Sequence, residues 1–108
     1  MTDSRAGQIA VIFATLRTEG DDAAYQEAAA AMAELAAEQP GYCGMASART
    51  PGALGITVSY WDSRTSAARW RDHPDHAAMR EAGRNRWYRW YSLDIATIDH
   101  SYEWTRDD

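Results

Sequence analysis

Ten residues close to the start of the chain, QIAVIFATLR at positions 8–17, limit the architecture more than any other stretch. They are β-branched and apolar on both alternating faces. Val11 and Phe13 point one way, Ile12 and Leu16 the other, which is the pattern of a central strand. The periodicities that follow supply its partners. After Gly20, Asp21 or Asp22 can cap a helix in which Tyr25, Ala28, Ala29, Met32, Leu35 and Ala36 form one stripe, and this helix stops at EQPG. YCGMASART and GITVSYW flank PGALG, where Pro51 and Gly52 favour a turn, so the two runs form a hairpin. Asp62 or Ser63 caps a second helical stretch carrying Ala67 and Trp70, and the alternating SLDIATID at 92–99 reads as the last strand. The order is βαββαβ.

That order specifies an α+β, ferredoxin-like plait, with both helices on one face of a four-stranded antiparallel sheet. The other face is left uncovered. Because the first strand is apolar on both sides, this face would present a sizeable apolar patch to water, which soluble monomers rarely tolerate. The expectation is a homodimer joined through its sheet faces, with a tail folded back over its own sheet as the alternative. With 108 residues the chain is expected to form one domain over 1–108, its core at about 8–100 and a tail at 101–108. Tyr102 and Trp104 in that tail alternate like strand residues and either reach the partner protomer or fray.

Composition removes several function classes. Sixteen acidic side chains against eleven basic ones give a net charge of −5 with no compensating basic stripe, which argues against a nucleic-acid partner. The single Cys43 rules out an intramolecular disulfide and reads as an inert core residue. The polar start MTDSRAG lacks the features of a signal peptide, and the apolar run from Ala10 to Ala14 is far too short to span a membrane, so a cytoplasmic protein is expected. No zinc-like spacing, glycine-rich nucleotide loop or nucleophile elbow is present, and no metal or other cofactor is expected.

Chemistry concentrates around WRDHPDH at 70–76. Pro74 is welcome in the first turn of a helix and biases His73 away from helical backbone, so the second helix breaks there and restarts. His73, at the cap, is expected to make a backbone contact or face solvent. Beyond the break His76, Arg80, Gly83, Trp87 and Trp90 recur at intervals of four, three, four and three, and as one helix they would share a face. An imidazole, a guanidinium, a glycine and two indoles would make a concave apolar wall with a few polar groups, the usual construction of a small-ligand pocket. Equally, the indoles could be core or dimer contacts, with His76 and Arg80 bonded to Asp72 or Asp75. Trp70 reads as a core residue whose N–H needs a partner.

The stretch SYWDSRTSAARWRDHPDHAAMREAGRNRWYRWYSLDIATID resembles the antibiotic biosynthesis monooxygenase domain family in its strand ending in Tyr-Trp, its Trp-bearing helix, its H-P-x-H turn and its G-R-x-x-W-Y helix end. The likeness runs from about residue 8 to residue 100. It implies a dimeric α+β barrel of two ferredoxin-like protomers, each with a substrate cavity between sheet and helices. Members of the family that make quinones from phenolic polyketides use O2 without metal or flavin. Their Trp at the end of the third strand matches Trp61 and their Arg matches Arg80, but their Asn position holds Thr57 and their Tyr position Ala67. In haem-degrading members a helix Trp, matched by Trp70, is followed ten residues later by an iron-ligating His. Arg80 stands there instead and cannot coordinate a metal, although His76 lies one turn earlier.

The leading expectation is a cofactor-independent monooxygenase acting on an electron-rich aromatic or polyketide-like substrate. Arg80 would hold the phenolate, an indole N–H of Trp61 or Trp70 would orient a carbonyl, and His76 would accept the proton. Phe13, Thr57, Trp70 and Trp87 are expected to bind the substrate. The alternatives are a non-catalytic dimer that binds a small aromatic ligand, and a haem-binding or haem-degrading protein.

Overall fold

The computed structural model describes residues 4–20, 22–50 and 53–107. Its elements run β1 (Ile9–Arg17), α1 (Asp22–Ala37), β2 (Tyr42–Arg49), β3 (Leu54–Trp61), α2 (Arg64–Asp72), α3 (Pro74–Ala82), a single π-helical turn (Gly83–Trp87) and β4 (Tyr88–Thr97). The strands form one antiparallel sheet in the order β2-β3-β1-β4. This is the ferredoxin-like arrangement, with β1 central as its two-faced apolar pattern requires. No helix among the described residues is long and apolar enough to cross a membrane.

Register decides which side chains meet the helices. Phe13 stands opposite Thr57 on β3 and Leu93 on β4, and Val11 opposite Ser59 and Ile95. Directly paired residues share a face, so these six side chains look the same way. Ile9 and Trp61 continue that face into the core, where Ala36 of α1 and Ala67 and Trp70 of α2 close over them. The opposite face carries Leu16, Leu54, Ile56 and Trp90, all exposed.

Local chemistry sets the element ends. Ser63 is the cap of α2, its Oγ accepting from the Ser66 N–H at 3.1 Å, while Asp62 accepts from the Ser66 hydroxyl at 2.6 Å. Asp22 is the first residue of α1 and pairs with Arg17 at 3.0 Å. Asp21, the other candidate cap, and the Pro51–Gly52 turn lie outside the described residues.

The C-terminal third departs from the expected pattern. The helix after Pro74 ends at Ala82, and β4 begins at Tyr88 rather than 92. Tyr88, Trp90 and Tyr91 are good strand formers, and the free edge of β1 offers them a ladder that helical spacing alone does not reveal. The register also shifts once, with Leu16 opposite Trp90 but Arg17 opposite Tyr88, so β4 carries an extra residue there. Such a bulge re-aims side chains. Tyr88 therefore turns toward the helices while Trp90, two residues on, turns to the uncovered face at 47% exposure. His76 and Trp90 do not share a helical face.

Candidate functional site

A cavity of about 360 Å³ lies between the sheet and the helices. Val11, Phe13, Thr57, Ser59, Leu93 and Ile95 form its floor, Tyr25 and Met32 of α1 one wall, and Ala67, Trp70, His76, Met79 and Arg80 of α2 and α3 another. Its volume falls in the range of small-ligand pockets, roughly 300–1,000 Å³. The lining is mostly apolar.

The break at Pro74 builds the polar part of this wall. In an unbroken helix the carbonyl of Trp70 would accept from the N–H of residue 74, and that of Arg71 from residue 75. Proline has no N–H to give. The Asp75 N–H is diverted to His73 Nδ1 at 3.1 Å, the capping contact expected of that histidine. Two carbonyls at the end of α2 are thereby released from the usual ladder. The Trp70 carbonyl accepts from the His73 N–H and from His76 Nδ1, both at 3.1 Å, and the Arg71 carbonyl accepts from Arg80 Nη1 at 2.9 Å. Helix C-termini favour cationic and donor groups for the same reason, because their last carbonyls lack partners. His76 and Arg80 are fixed by these backbone oxygens rather than by Asp72 or Asp75; Asp72 pairs instead with Arg71.

The imidazole of His76 is defined in three respects. A carbonyl can only accept, so Nδ1 carries the proton and Nε2 presents a lone pair. The ring stacks on the Trp70 indole with centroids 4.3 Å apart and planes at 9°. Burial holds its pKa below the ordinary histidine value; the hydrogen bond to Trp70 opposes that shift, while the charges of Arg80 and His73 add to it. At neutral pH the lowered pKa favours the uncharged ring, and among the described residues its acceptor nitrogen has no hydrogen-bond partner.

Four of the expected ligand-contacting residues, Phe13, Thr57, Trp70 and His76, line the cavity together with Arg80. Trp61 does not reach it. This indole is fully buried in the core beside the cavity, on the same sheet face as the floor, stacked 6.2 Å from Trp70, and its Nε1–H donates to Ser59 Oγ at 2.9 Å. The Ser59 hydroxyl that it holds does line the cavity. Trp87 also stands outside the lining, packed edge-on against Tyr25 with centroids 5.7 Å apart. The π turn carries it against Tyr25 of α1, away from the cavity lining that holds His76. Among the described residues its buried indole Nε1 has no hydrogen-bond partner.

Other lining residues carried weaker signals. Tyr25, Ala29 and Met32 belong to the helical stripe that reads simply as core, and Ala33 next to Met32 is not singled out by the sequence. Arg64, Ala68 and Arg71 fall at i, i+4 and i+7 on α2 and all line the cavity, although charges at that spacing usually mark a solvated face. Tyr88 enters through the bulge. Its hydroxyl pKa is pushed well above the usual tyrosine value, chiefly by burial and then by the Tyr25 hydroxyl 3.4 Å away, so it acts only as a neutral phenol. Among the described residues no group of three or more His, Cys, Asp or Glu converges to hold a metal ion. Arg80, at the place where the haem-degrading pattern calls for an iron ligand, is bonded to a carbonyl and cannot coordinate. The donor set does not fit haem held in that manner.

The chain matches the family model described as antibiotic biosynthesis monooxygenase over residues 8–82. It is 46% identical over 90 residues to the uncharacterized protein YqjZ of Bacillus subtilis, an alignment spanning 83% of this chain and 78% of the relative. Among solved structures it is similar to a putative antibiotic biosynthesis monooxygenase from Nitrosomonas europaea, with a TM-score of 0.75 and 13% identity, covering 85% of this chain and 90% of that one. It is also similar to SnoaB, a cofactor-independent oxygenase from Streptomyces nogalater, with a TM-score of 0.73 and 17% identity over 86% of this chain and 94% of the other. Both structures share its fold. On the strength of the family match over β1 to α3, this chain belongs to the antibiotic biosynthesis monooxygenase family.

Proposed function

We propose that the chain is a homodimeric monooxygenase that oxidises an electron-rich aromatic, such as an anthrone or hydroquinone, with O2 and without a metal or flavin. One observation carries the reading: the helix break presents an uncharged His76, its Nε2 lone pair available, beside Arg80 on the wall of an apolar cavity. His76 takes the proton of the phenol or enol. Arg80 holds the resulting anion where little water competes for it. The electron-rich anion then passes an electron to O2; one oxygen atom enters the ring carbon and the other leaves as water, with the proton that His76 took and the one hydrogen that this carbon carries in the enol or phenol form. Ser59 and Thr57 offer hydroxyls to the substrate's carbonyl, and Trp61 keeps that of Ser59 oriented.

Family membership and the fold shared with SnoaB support this reading at the level of reaction type. The uncovered sheet face supports the dimer. Leu16, Leu54, Ile56 and Trp90 stand 37–47% exposed on it, the kind of apolar surface that a second copy would cover. A monomeric mass at micromolar concentration would refute that assembly.

Oxygen uptake with model anthrones, with and without chelator, tests the activity. Uptake should be insensitive to chelator, and His76→Gln should lower turnover by about 10²–10⁴, the range for loss of a positioned base. Arg80→Gln should depress it comparably while the fold persists. Wild-type turnover in both variants would end the assignment of roles, and saturable binding without uptake would establish a non-catalytic binder.

A further inference from the structure

The cavity is charged on one side only. Arg64 and Arg71 from α2 line it along with Arg80 and His76, and among the described residues no aspartate or glutamate does. The chain as a whole has the opposite bias, sixteen acidic side chains to eleven basic. All eleven basic residues are arginines, so three of them converge on one cavity that excludes every described carboxylate.

From this asymmetry we infer that the ligand carries a permanently ionised carboxylate in addition to the phenolic group handled by His76 and Arg80, and that Arg64 and Arg71 recognise it. The inference rests on reading this cavity as the substrate site but not on oxygen chemistry. Arg64 and Arg71 lie two helical turns apart on the side of α2 that faces the cavity, with Ala68 between them leaving room. Arg64 is steadied at the other side by donating to Thr97 Oγ1 on β4 at 3.0 Å. Arg71 pairs with Asp72 at 3.0 Å, but both partners are more than half exposed. Such a surface pair is weak and exchanges readily with solvent. A carboxylate delivered by an apolar body seated on Phe13 and Ile95 would meet these planar guanidinium forks where they border the cavity, and bidentate pairing there is stronger and more directional than a single contact. The cavity volume is more than twice the roughly 150 Å³ that takes up benzene in an engineered core, which suits a fused-ring acid.

Calorimetric titration of the full chain with 2-naphthoate, methyl 2-naphthoate and 2-naphthylmethylammonium tests the inference without any turnover. The acid should bind at least tenfold more tightly than either the ester or the ammonium, and the gap should shrink in 0.5 M salt as the charges are screened. In the Arg64→Ala/Arg71→Ala double variant, acid and ester should come within threefold of each other while ester affinity holds, which separates lost recognition from lost folding. Equal affinities in the parent chain, failure of all three probes to bind at millimolar concentration, or an acid preference surviving the double substitution would overturn it. A clear acid preference in a chain that consumes no oxygen would retire the proposed reaction and leave this inference standing. Oxygen uptake as fast with neutral anthrones as with their carboxylated analogues would do the reverse.

Discussion

Replacing Gly83 by alanine sets two effects against each other, and the structure decides which prevails. Gly83 closes α3 with ordinary helical backbone, φ −59° and ψ −45°, so no left-handed requirement keeps a glycine there. Judged by helix propensity alone, alanine would stabilise by roughly 0.5–1 kcal/mol. A Cβ at this position, however, would lie 2.4 Å from Cε2 and 2.7 Å from Cδ2 of Tyr88. The ring cannot simply swing aside, because Phe13, Tyr25 and Tyr91 surround it with centroids at 5.6, 5.9 and 6.0 Å. Overpacking of this kind costs about 1–3 kcal/mol. Gly83→Ala should therefore lose up to about 2.5 kcal/mol net, lowering Tm by some 4–8 °C per kcal/mol for a domain of this size. In a Tyr88→Ala background the collision is gone and alanine should become stabilising. Thermal unfolding of the four proteins in a double-mutant cycle reads this reversal of sign directly. A rise in Tm on Gly83→Ala in the parent chain, or the same sign in both backgrounds, would refute the claim that close approach to Tyr88 is what requires glycine.

Three further outcomes are expected. Because burial lowers the His76 pKa and the base must be uncharged, kcat/KM should fall with acidification through a pKa below 6.5 and stay flat near neutrality; His76→Gln should abolish that limb. Pro74→Ala restores an N–H that competes for the Trp70 carbonyl. It should reduce turnover on the order of 10–100-fold, as when an outer partner of a functional histidine is lost, and 15N NMR should show His76 shifting from a single tautomer to a mixture. Ile56→Lys on the exposed sheet face should convert a dimer to a monomer by sedimentation while the far-UV spectrum is kept.

Much of this architecture is legible in the residues because apolar periodicity and turn chemistry are local. The two-faced pattern of 8–17 places β1 inside the sheet, while Thr57 is singled out through the family resemblance and its place opposite Phe13 is set by the register. Pro74 announces the break that anchors His76 and Arg80. The end of that helix is not legible. His76, Arg80, Gly83, Trp87 and Trp90 keep a helical spacing throughout, and only the ladder with β1, which depends on residues seventy positions away, pulls 88–97 into a strand. The bulge opposite Leu16 and Arg17 leaves no mark in a single sequence either, so the opposite orientations of Tyr88 and Trp90 could not be anticipated. Trp61 illustrates a different difficulty. It lies on the same face as the floor residues, yet whether an indole borders the cavity or is sealed in the core beside it depends on Trp70 stacking against it.

All three methionines among the described residues, Met32, Met45 and Met79, line the cavity. Their flexible thioethers can reshape around differently sized occupants, but they are also easily oxidised side chains. If the proposed oxygen chemistry runs in this cavity, reactive oxygen species that stray during a faulty cycle would meet them at once, adding 16 Da as a sulfoxide and turning a greasy wall polar. The working life of each molecule would then be counted in failed cycles, and its dependence on methionine sulfoxide repair would follow from where these three sulfur atoms sit.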